Sequence, residues 1–527
     1  MNKFKLFPLA LAAFAFSACT SEDAVDNNNQ NGEGVKSYIA VNLNNVGANG
    51  TRADQEFENG TQAENHIEKV RFYFFTQNGD AYKMTDGTNF KEITPVTGDG
   101  KNEPNVERIT DAMLVIEGTT KTAPYSMVAV VNPETIENGV LSSSMTKAQV
   151  EAAVAKQNFQ GNEGNAANFV MTSSVYVSEG AKTWTADISG HVATTADAAK
   201  ADPVDLYVER VAAKLTSTAS GATKDITKGD DTFKAFEVGE TTSGKKVYAK
   251  IAGWGLADES KEANLIKKID ASWTDDALGF TAVTNPWNMT EYKRCFWESS
   301  IAFTAGKRAW EDFATSIDKV YYTLPNTTAK PVYVAAAQLV YEDGTAAEIC
   351  SYKGVEYLSE NDVKNVILNE NKKFMKKTGN NEEGTTYESL SAADIKFVVD
   401  ADKSYEVRAK LADGVTVYVK NGDAYEEAND AANTALGKDA AQIRKDGMTY
   451  YYTGVKHLGA KDKTAEFGLV RNHFYKIDVT KITGFGTPVY DKTSDFVPVT
   501  PEEVKTYLAA RINVLSWRVV NNSVELK

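Results

Sequence analysis

The feature that most constrains the fold is an alternating segment near the N-terminus that is followed by a cleavable loop. The alternation predicts a half-buried β-strand, because every second residue of an extended chain faces the same side. The residues on the apolar side are Val35, Ser37, Ile39, Val41 and Leu43. An Asn- and Gly-rich run follows and ends at Arg52–Ala53, where a trypsin-like protease can cut an exposed loop. A cut there would separate one strand from its domain; an ordinary first strand with an ordinary loop arginine is the alternative.

The first 18 residues have the pattern of a secretory signal. Lys3 and Lys5 precede an apolar run over residues 6–16, which is too short to span a membrane as a helix. Small residues then lead into Cys19, as in a bacterial lipoprotein box, so we expect Cys19 to carry lipid and to become the first residue. A plain signal peptide with an incidental cysteine is the alternative. Residues 20–34 are polar and acidic, and they predict a disordered tether.

Length and charge narrow the class of protein. A chain of 527 residues with 42% apolar residues predicts two large domains. The net charge of −15 argues against binding to nucleic acid or to a membrane surface through basic patches.

Once Cys19 is lipidated, two cysteines remain, Cys295 and Cys350. The sequence is consistent with a disulfide between them or with two buried thiols.

The rest of the chain is dominated by strand patterns. We expect a mainly β fold of two tandem β-sandwich domains with a few short helices, preceded by a lipoprotein signal and tether. The predicted divisions are signal 1–18, propeptide 19–52, first sandwich 53–203 and second sandwich 204–527. Helices are expected over Thr146–Asn158, from Glu360 to about Phe374 with Ser359 as the cap, and over Ala424–Leu436. Val204–Leu215 is expected to be one strand that opens the second domain.

Several segments become specific when they are taken together. They are FVMTSSVYV (Phe169–Val177), VERVAAKL (within Val204–Leu215), MTYYYTGVKHLG (Met448–Gly459), GLVRNHFYKIDV (Gly468–Val479) and the terminal INVLSWRVVNNSVELK (Ile512–Lys527). With the lipoprotein box, they resemble the fimbrillins of Bacteroidales type V pili over nearly the whole chain. Within that group, they most resemble the stalk subunit of the minor, short fimbriae.

The resemblance implies a structural role in a surface fimbrium. It implies transthyretin-like sandwiches, a precursor that is attached to the outer membrane through lipid on Cys19, and a cut at Arg52–Ala53 by an arginine-specific, gingipain-like protease. The strand with Val35, Ile39, Val41 and Leu43 would then leave, and the C-terminal strand of an identical subunit would enter its groove. The homopolymer would work with accessory tip and anchor proteins and would support adhesion and biofilm formation.

The C-terminal segment has the pattern that a donor strand needs. Its predicted donor residues are Ile512, Val514, Leu515, Trp517, Val519, Val520, Val524 and Leu526. Exposed backbone groups in a vacated groove would template such a strand by β-augmentation. On pattern alone, the same residues could instead pair within their own domain as its last strand.

No residues point to catalysis, to a cofactor or to a metal. The four histidines are scattered, and we find no HExxH helix, GxSxG turn or phosphate-binding loop. A surface hydrolase is therefore the weakest hypothesis. The main alternative is a monomeric surface lipoprotein that binds a glycan or a host protein. In that case its tryptophans would form part of a ligand platform (Trp184, Trp254, Trp273, Trp287, Trp297 and Trp310).

Overall fold

The computed structural model describes residues 35–46, 58–94, 106–133, 144–156, 168–178, 181–257, 259–280, 296–301, 308–381, 384–400, 402–497, 507–515 and 519–522. Strands dominate these ranges, and the helices are short, so the mainly β prediction is confirmed. Among the described residues, no helix has the length and apolar character needed to cross a membrane.

The N-terminal half is built on an eight-stranded sheet. Its elements are β1 (Val35–Val46), β2 (Val70–Phe75), β3 (Phe90–Ile93), β4 (Val106–Gly118), β5 (Ser126–Val131), α1 (Lys147–Glu151), β6 (Val154–Ala155), β7 (Met171–Ser173), β8 (Tyr176–Ser178), β9 (Ala181–Thr183), β10 (Ala186–Asp187), α2 (Ala196–Ala201) and β11 (Val204–Arg210). The sheet has the order β3-β2-β5-β7-β11-β1-β4, with β10 paired to β5. Alternate apolar residues of these strands form one buried core, in which Phe72, Phe74 and Leu206 are fully enclosed.

The C-terminal half begins with a sandwich strand and continues through a long run of antiparallel strands. Its first elements are β12 (Ala213–Thr218), β13 (Lys224–Lys228), β14 (Asp231–Glu240), β15 (Lys246–Leu256), β16 (Ala263–Asn264), α3 (Asp275–Leu278), α4 (Trp310–Phe313), β17 (Val320–Thr323) and β18 (Val332–Val340).

An inserted module follows β18. It contains β19 (Cys350–Tyr352), β20 (Val355–Tyr357), α5 (Glu360–Glu370), β21 (Phe374–Asn381), β22 (Gly384–Ser389), β23 (Ile395–Val399), β24 (Val407–Leu411), β25 (Val417–Asn421), β26 (Ala424–Glu427), α6 (Asn429–Leu436) and β27 (Ala441–Ile443). Two sheets, β20-β19-β27-β24-β23 and β22-β21-β25-β26, enclose a separate core with both helices. The sequence analysis did not predict this module as a unit of its own.

The chain then returns to the second sandwich through β28 (Met448–Gly454), β29 (Phe474–Thr483), β30 (Thr487–Pro488), β31 (Tyr507–Leu515) and β32 (Val519–Asn522). One sheet has the order β17-β12-β29-β31-β32, and the other has the order β13-β14-β15-β18-β28-β30. Their inner faces meet in one core, where Trp254 stacks on Tyr333 with ring centroids 5.6 Å apart. This half is therefore a two-sheet sandwich that carries the inserted module between β18 and β28.

The predicted domain boundary at residue 203 is one strand too early. Val204–Leu215 is two strands: β11 pairs with β7 and β1 of the first sheet, whereas β12 pairs with β17 and β29 of the second half. Val211 and Ala212 alone join them, and both are buried. The alternation runs through the joint, so the sequence pattern does not reveal that the strand changes sheets.

Two predicted helices are shorter than expected, and the third begins later. The helix from Thr146 ends at Glu151, because Val154–Ala155 pairs with Ala263–Asn264 as a short ribbon. The helix capped by Ser359 is confirmed but ends at Glu370, before the strand that begins at Phe374. The helix expected from Ala424 begins at Asn429, because Ala424–Glu427 pairs with β25 as a strand.

Candidate functional site

The strand that was expected to be removable lies inside the first sheet. β1 pairs in parallel with β11 over Val41–Asn45, and it pairs antiparallel with β4 along its whole length. β4 is the last strand of the sheet order, so β1 is its neighbouring strand in the sheet; the end of β4 also forms an isolated bridge from Gly118 to Met84. The β1–β11 contact is also the single parallel pairing in this sheet as described.

The side chains of β1 fill the core as the alternation predicted. Ile39 and Val41 are fully buried and belong to the core of the first half. Val35 and Leu43 also lie in β1, at register positions opposite Gly118 and Thr110 of β4. Two fully buried aliphatic side chains contribute about 3–6 kcal/mol through the hydrophobic effect.

The opposite face of β1 is more polar. Lys36 forms an ion pair with Glu117 of β4 at 3.5 Å, with both side chains about half exposed. Tyr38 exchanges two backbone hydrogen bonds with Ala193, at 2.8 Å and 3.0 Å. Loss of β1 would therefore leave unpaired backbone groups on β4 and on part of β11, together with an apolar furrow. Such a groove is a template for another strand.

The predicted donor segment pairs with its own chain in this structure. β31 runs antiparallel to β29, with Ile512 opposite Ile477 and Val514 opposite Tyr475. β32 forms a hairpin with β31, in which Val519 is opposite Leu515 and Val520 is opposite Val514. The hairpin is the edge of one sheet of the sandwich, which is the arrangement that the alternative interpretation expected.

Several predicted site residues lie outside the described residues: Cys19, Arg52, Ala53, Trp517, Val524 and Leu526. Cys295 also lies outside them, whereas Cys350 is a buried free thiol whose pKa burial raises to about 12. Three of the six tryptophans expected to form a ligand platform are instead packed in cores, since Trp184, Trp254 and Trp297 are at most 6% exposed. Those three rings are not available to a ligand, so this part of the alternative is wrong.

The two halves meet at a buried cluster of charged groups that the sequence analysis did not predict. Lys214 at the start of β12 forms an ion pair with the fully buried Glu64 at 2.8 Å, and Tyr322 donates a hydrogen bond to the same carboxylate at 2.6 Å. Burial raises the pKa of Glu64, but the charge and hydrogen bond of Lys214, with further hydrogen bonds, bring that pKa below its usual value. Arg210 at the end of β11 donates to the Asn472 side chain at 3.0 Å and so ties β11 to the segment before β29.

Two further buried ion pairs involve the residues next to Asn472 and Arg210 in sequence, namely Arg471 and Glu209. Arg471 donates to the Glu298 carboxylate at 2.9 Å and to the backbone carbonyls of Leu265 at 2.9 Å and Asn264 at 2.7 Å. Lys267 pairs with Glu209 at 2.6 Å, and both side chains are nearly inaccessible. The signal in the sequence is the presence of charged residues inside otherwise apolar strand segments, in VERVAAKL and in GLVRNHFYKIDV.

The histidines of this region are structural. His457 is fully buried, with its Nδ1 at 2.9 Å from the Tyr475 hydroxyl and its Nε2 at 2.6 Å from the Phe296 carbonyl. Burial lowers the pKa of His457 to about 3, so the ring is neutral near pH 7. Among the described residues, no group of three or more His, Cys, Asp or Glu is placed to bind a metal ion.

Comparison with known structures finds fimbrial and adhesion proteins at low identity. A fimbrilin (FimA) of Porphyromonas gingivalis W83 has 12% identity and a TM-score of 0.39, over 90% of this chain and 96% of that one. A candidate cell adhesion protein of Parabacteroides distasonis has 12% identity and a TM-score of 0.37, over 94% and 99%. The tip fimbrial protein Mfa3 of Porphyromonas gingivalis has 9% identity and a TM-score of 0.29, over 90% and 99%. At these TM-scores the likeness carries no argument by itself.

Sequence comparison with protein families is more specific. Residues 37–208 match the major fimbrial subunit protein (FimA) family, from β1 to β11 of the first sheet. Residues 443–523 match the C-terminal fimbrillin family of major fimbrial subunit proteins, which includes β28 to β32. Comparison with curated protein sequences gives no significant match. The first sheet and the C-terminal part of the second sandwich therefore each match a family of fimbrial structural subunits, which are not enzymes.

Proposed function

We propose that this chain is the stalk subunit of a surface fimbrium that assembles by proteolysis and strand exchange. The precursor is exported as a lipoprotein with lipid on Cys19 and is held at the outer membrane. An arginine-specific protease cuts between Arg52 and Ala53, β1 leaves, and the C-terminal strand of an identical subunit takes its place. The resulting homopolymer joins accessory tip and anchor proteins and supports adhesion and biofilm formation.

The observation that carries this proposal is the position of β1. An N-terminal strand at the edge of a sheet would be dispensable, but β1 lies between β11 and β4 and supplies Ile39 and Val41 to the core. Its removal creates a groove with backbone partners on both sides, whereas loss of an edge strand would expose one side only. The connection from β1 to the rest of the chain also passes through the segment that contains Arg52.

The C-terminal hairpin supports the other half of the exchange. It is an edge element that pairs with β29 on one side, so it can detach without breaking a central ladder. The same pairing is also the observation that favours a monomeric surface protein, because the tail already has a partner in its own chain. Assembly therefore requires that the pairing in the groove be more stable than the pairing at β29.

The test is cleavage of the purified full-length precursor with a trypsin-like protease. We expect loss of residues 1–52 only, release of β1 and the appearance of ladders that resist SDS. The Arg52→Ala variant should remain uncut and monomeric. The Arg52→Lys variant is the matched control, since trypsin should cut it and an arginine-specific protease should not.

Deletion of the residues after Tyr507 should abolish the ladder and leave a folded monomer. A processed wild-type protein that stays monomeric at high concentration would instead support the monomeric binder. Protein isolated from the cell surface should begin at Ala53. Assembled material that still begins at Cys19 would contradict the proposal.

A further inference from the structure

The inserted module carries three tyrosines on the outer face of one of its sheets. This sheet has the order β22-β21-β25-β26, and Phe374 and Val417 face the core of the module from it. Side chains alternate between the two faces of a strand, so the residues next to these two face outwards. The strand pairing then identifies further positions on the same outer face: Lys377, Tyr387, Tyr418, Lys420, Tyr425 and Glu427.

The rings of these tyrosines contact one another. Tyr387 and Tyr425 stack with their centroids 3.8 Å apart and their planes 14° apart. Tyr418 meets Tyr387 edge to face, with a centroid distance of 5.3 Å. All three side chains are partly exposed. Each stacked ring has one face against its partner, so its other face is turned away from the stack.

The stack shows that this face of the sheet is concave. Tyr387 and Tyr425 belong to the edge strands β22 and β26. In a flat sheet of four strands, the edge strands are about 14 Å apart, which is too far for two tyrosine rings to stack. The twist of the sheet therefore brings the edge strands towards each other on the outer side. The three rings lie in the resulting depression.

Exposed lysines surround the stacked rings. Lys377 is aligned with Tyr387 across one strand pair, and Lys420 is aligned with Tyr425 across another. Two more lysines directly precede β21, so the exposed set is Lys372, Lys373, Lys377 and Lys420. Within the part of the chain that the structure describes, none of the four forms an ion pair. In a chain with a net charge of −15, such a cluster of uncompensated cations favours an anionic ligand.

The type of cation favours sulfate groups. Lysine is a compact point charge and lacks the planar fork with which arginine binds a carboxylate through two parallel hydrogen bonds. Runs of basic residues of this kind are typical of surfaces that bind sulfated polysaccharides. Among the described positions of this face, Glu427 is the acidic one, and it accepts a hydrogen bond from the Asn429 side chain at 3.2 Å. The cations therefore outnumber the anions around the rings.

The size of the face and its aromatic rings favour a sugar over a protein surface. A stable protein interface buries about 800 Å² on each partner. Here the face is bounded by edge strands of only six and four residues. Sugar rings present apolar C–H groups that pack on aromatic rings, and small-ligand sites combine such rings with a few polar groups that fix the orientation.

We propose that this outer face of the inserted module binds a sulfated oligosaccharide. The sugar rings pack against Tyr387 and Tyr425, and the sulfate groups pair with Lys377 and Lys420. The site lies apart from β1 and from the C-terminal hairpin, so this inference does not depend on the proposed strand exchange. It assigns a ligand class to a surface that a fimbrial subunit would display.

The experiment measures the binding of a chondroitin sulfate octasaccharide to the full-length protein by isothermal titration calorimetry. Lys420→Glu should weaken binding by about tenfold or more, because it reverses one charge beside the rings. The matched control is Lys410→Glu, which makes the same change at an exposed lysine of β24 in the other sheet of the module, and it should bind as the wild type does. Added salt should weaken the wild-type affinity, because exposed charges are screened.

The contribution of the rings is tested separately. Tyr425→Ala should weaken binding by about tenfold or more, whereas Tyr425→Phe, which keeps the ring, should stay within about threefold of the wild type. The urea unfolding midpoint of each variant should match that of the wild type. If Tyr425→Ala lowers it, Lys420→Glu decides the outcome, because Lys420 is exposed and its replacement leaves no cavity.

Two further ligands separate the sulfate groups from the sugar rings. An unsulfated chondroitin octasaccharide has the same rings without sulfate, and a peptide of eight glutamates has negative charge without sugar rings. Both should bind about tenfold more weakly than chondroitin sulfate. Equal binding of either ligand overturns the proposal, and so does the absence of binding by chondroitin sulfate.

The two proposals fail in different ways. Protein that forms normal ladders after cleavage but does not bind chondroitin sulfate overturns this inference and leaves the strand exchange in place. Protein that binds chondroitin sulfate as expected but forms no ladder after cleavage overturns the strand exchange and leaves this site in place.

Discussion

The buried ion pair between Arg471 and Glu298 allows a sharp prediction about the stability of the C-terminal half. Both side chains are at most 1% exposed, and Arg471 donates to the carboxylate and to two backbone carbonyls. Arg471→Met removes the cation and leaves the Glu298 carboxylate buried. The carboxylate then keeps the hydrogen bond that the backbone N–H of residue 471 donates to it at 3.0 Å. Loss of one partner of a buried pair costs about 3–5 kcal/mol of unfolding free energy.

The matched control is an exposed ion pair in the same chain. Lys36 and Glu117 pair at 3.5 Å with side chains that are 51% and 42% exposed, so Glu117→Gln should cost less than about 1 kcal/mol. A change of 1 kcal/mol shifts the melting temperature by about 2–4 °C for a domain of this size. Arg471→Met should therefore lower it by roughly 6–20 °C, and Glu117→Gln should lower it by no more than about 4 °C.

The assay is thermal unfolding of the full-length precursor, monitored by tryptophan fluorescence and circular dichroism. The double variant Arg471→Met/Glu298→Gln removes both charges and should lose less stability than Arg471→Met alone, because no unpaired charge stays buried. If Arg471→Met shifts the transition no more than Glu117→Gln does, the buried pair does not stabilise the fold and the reasoning is wrong.

Three further predictions concern single buried sites. The pKa of His457 is about 3 in the folded protein and about 6.5 in the unfolded chain, so the unfolded chain binds more protons in acid. The free energy of unfolding should therefore fall from pH 6.5 towards pH 3, by up to about 1.4 kcal/mol per pH unit. His457→Gln should reduce the pH dependence of the urea unfolding midpoint measured between pH 7 and pH 5. In a Cys19→Ser/Cys295→Ser variant, the buried Cys350 thiol should react with a thiol reagent at pH 8 only in denaturant; rapid reaction of the native protein would show that the inserted module opens. Gly253→Ala should lower the unfolding free energy by about 1–3 kcal/mol, because a Cβ there would lie 2.3 Å from the Phe313 carbonyl oxygen. A Cβ at Gly190 would have no heavy atom within 4 Å, so Gly190→Ala should leave the unfolding free energy nearly unchanged in the same measurement.

The sequence predicts the local elements better than the way in which they are joined. Alternation identifies β1 and its buried Ile39 and Val41, and the serine–aspartate spacing identifies the helix start after Ser359, because both signals act within a few residues. Val204–Leu215 was predicted as one strand, since periodicity carries no information about which sheet a residue joins. The short helix after Thr146 was overextended because its continuation pairs with β16, more than a hundred residues away.

In the candidate site, too, the local element could be predicted from the sequence and the long-range contacts could not. β1 could be predicted because a single segment of sequence contains its whole alternation. The buried charge pairs could not be predicted, because Glu298 and Arg471 are 173 positions apart and a single sequence does not pair them. The inserted module could not be predicted as a separate unit, because its strands have the same alternation as those of the sandwich around it. Only its separate hydrophobic core distinguishes the module from the sandwich.

The two buried residues between β11 and β12 have a mechanical consequence. Val211 and Ala212 connect β11, which pairs with β1, to β12, which pairs with β29, and β29 carries the C-terminal hairpin. In a fimbrium assembled by the proposed strand exchange, tension would pass from one subunit to the next through this two-residue connection, with no long loop to absorb it. Under load, the hydrogen-bonded ladders on either side of this connection would be sheared along their length rather than peeled apart one bond at a time.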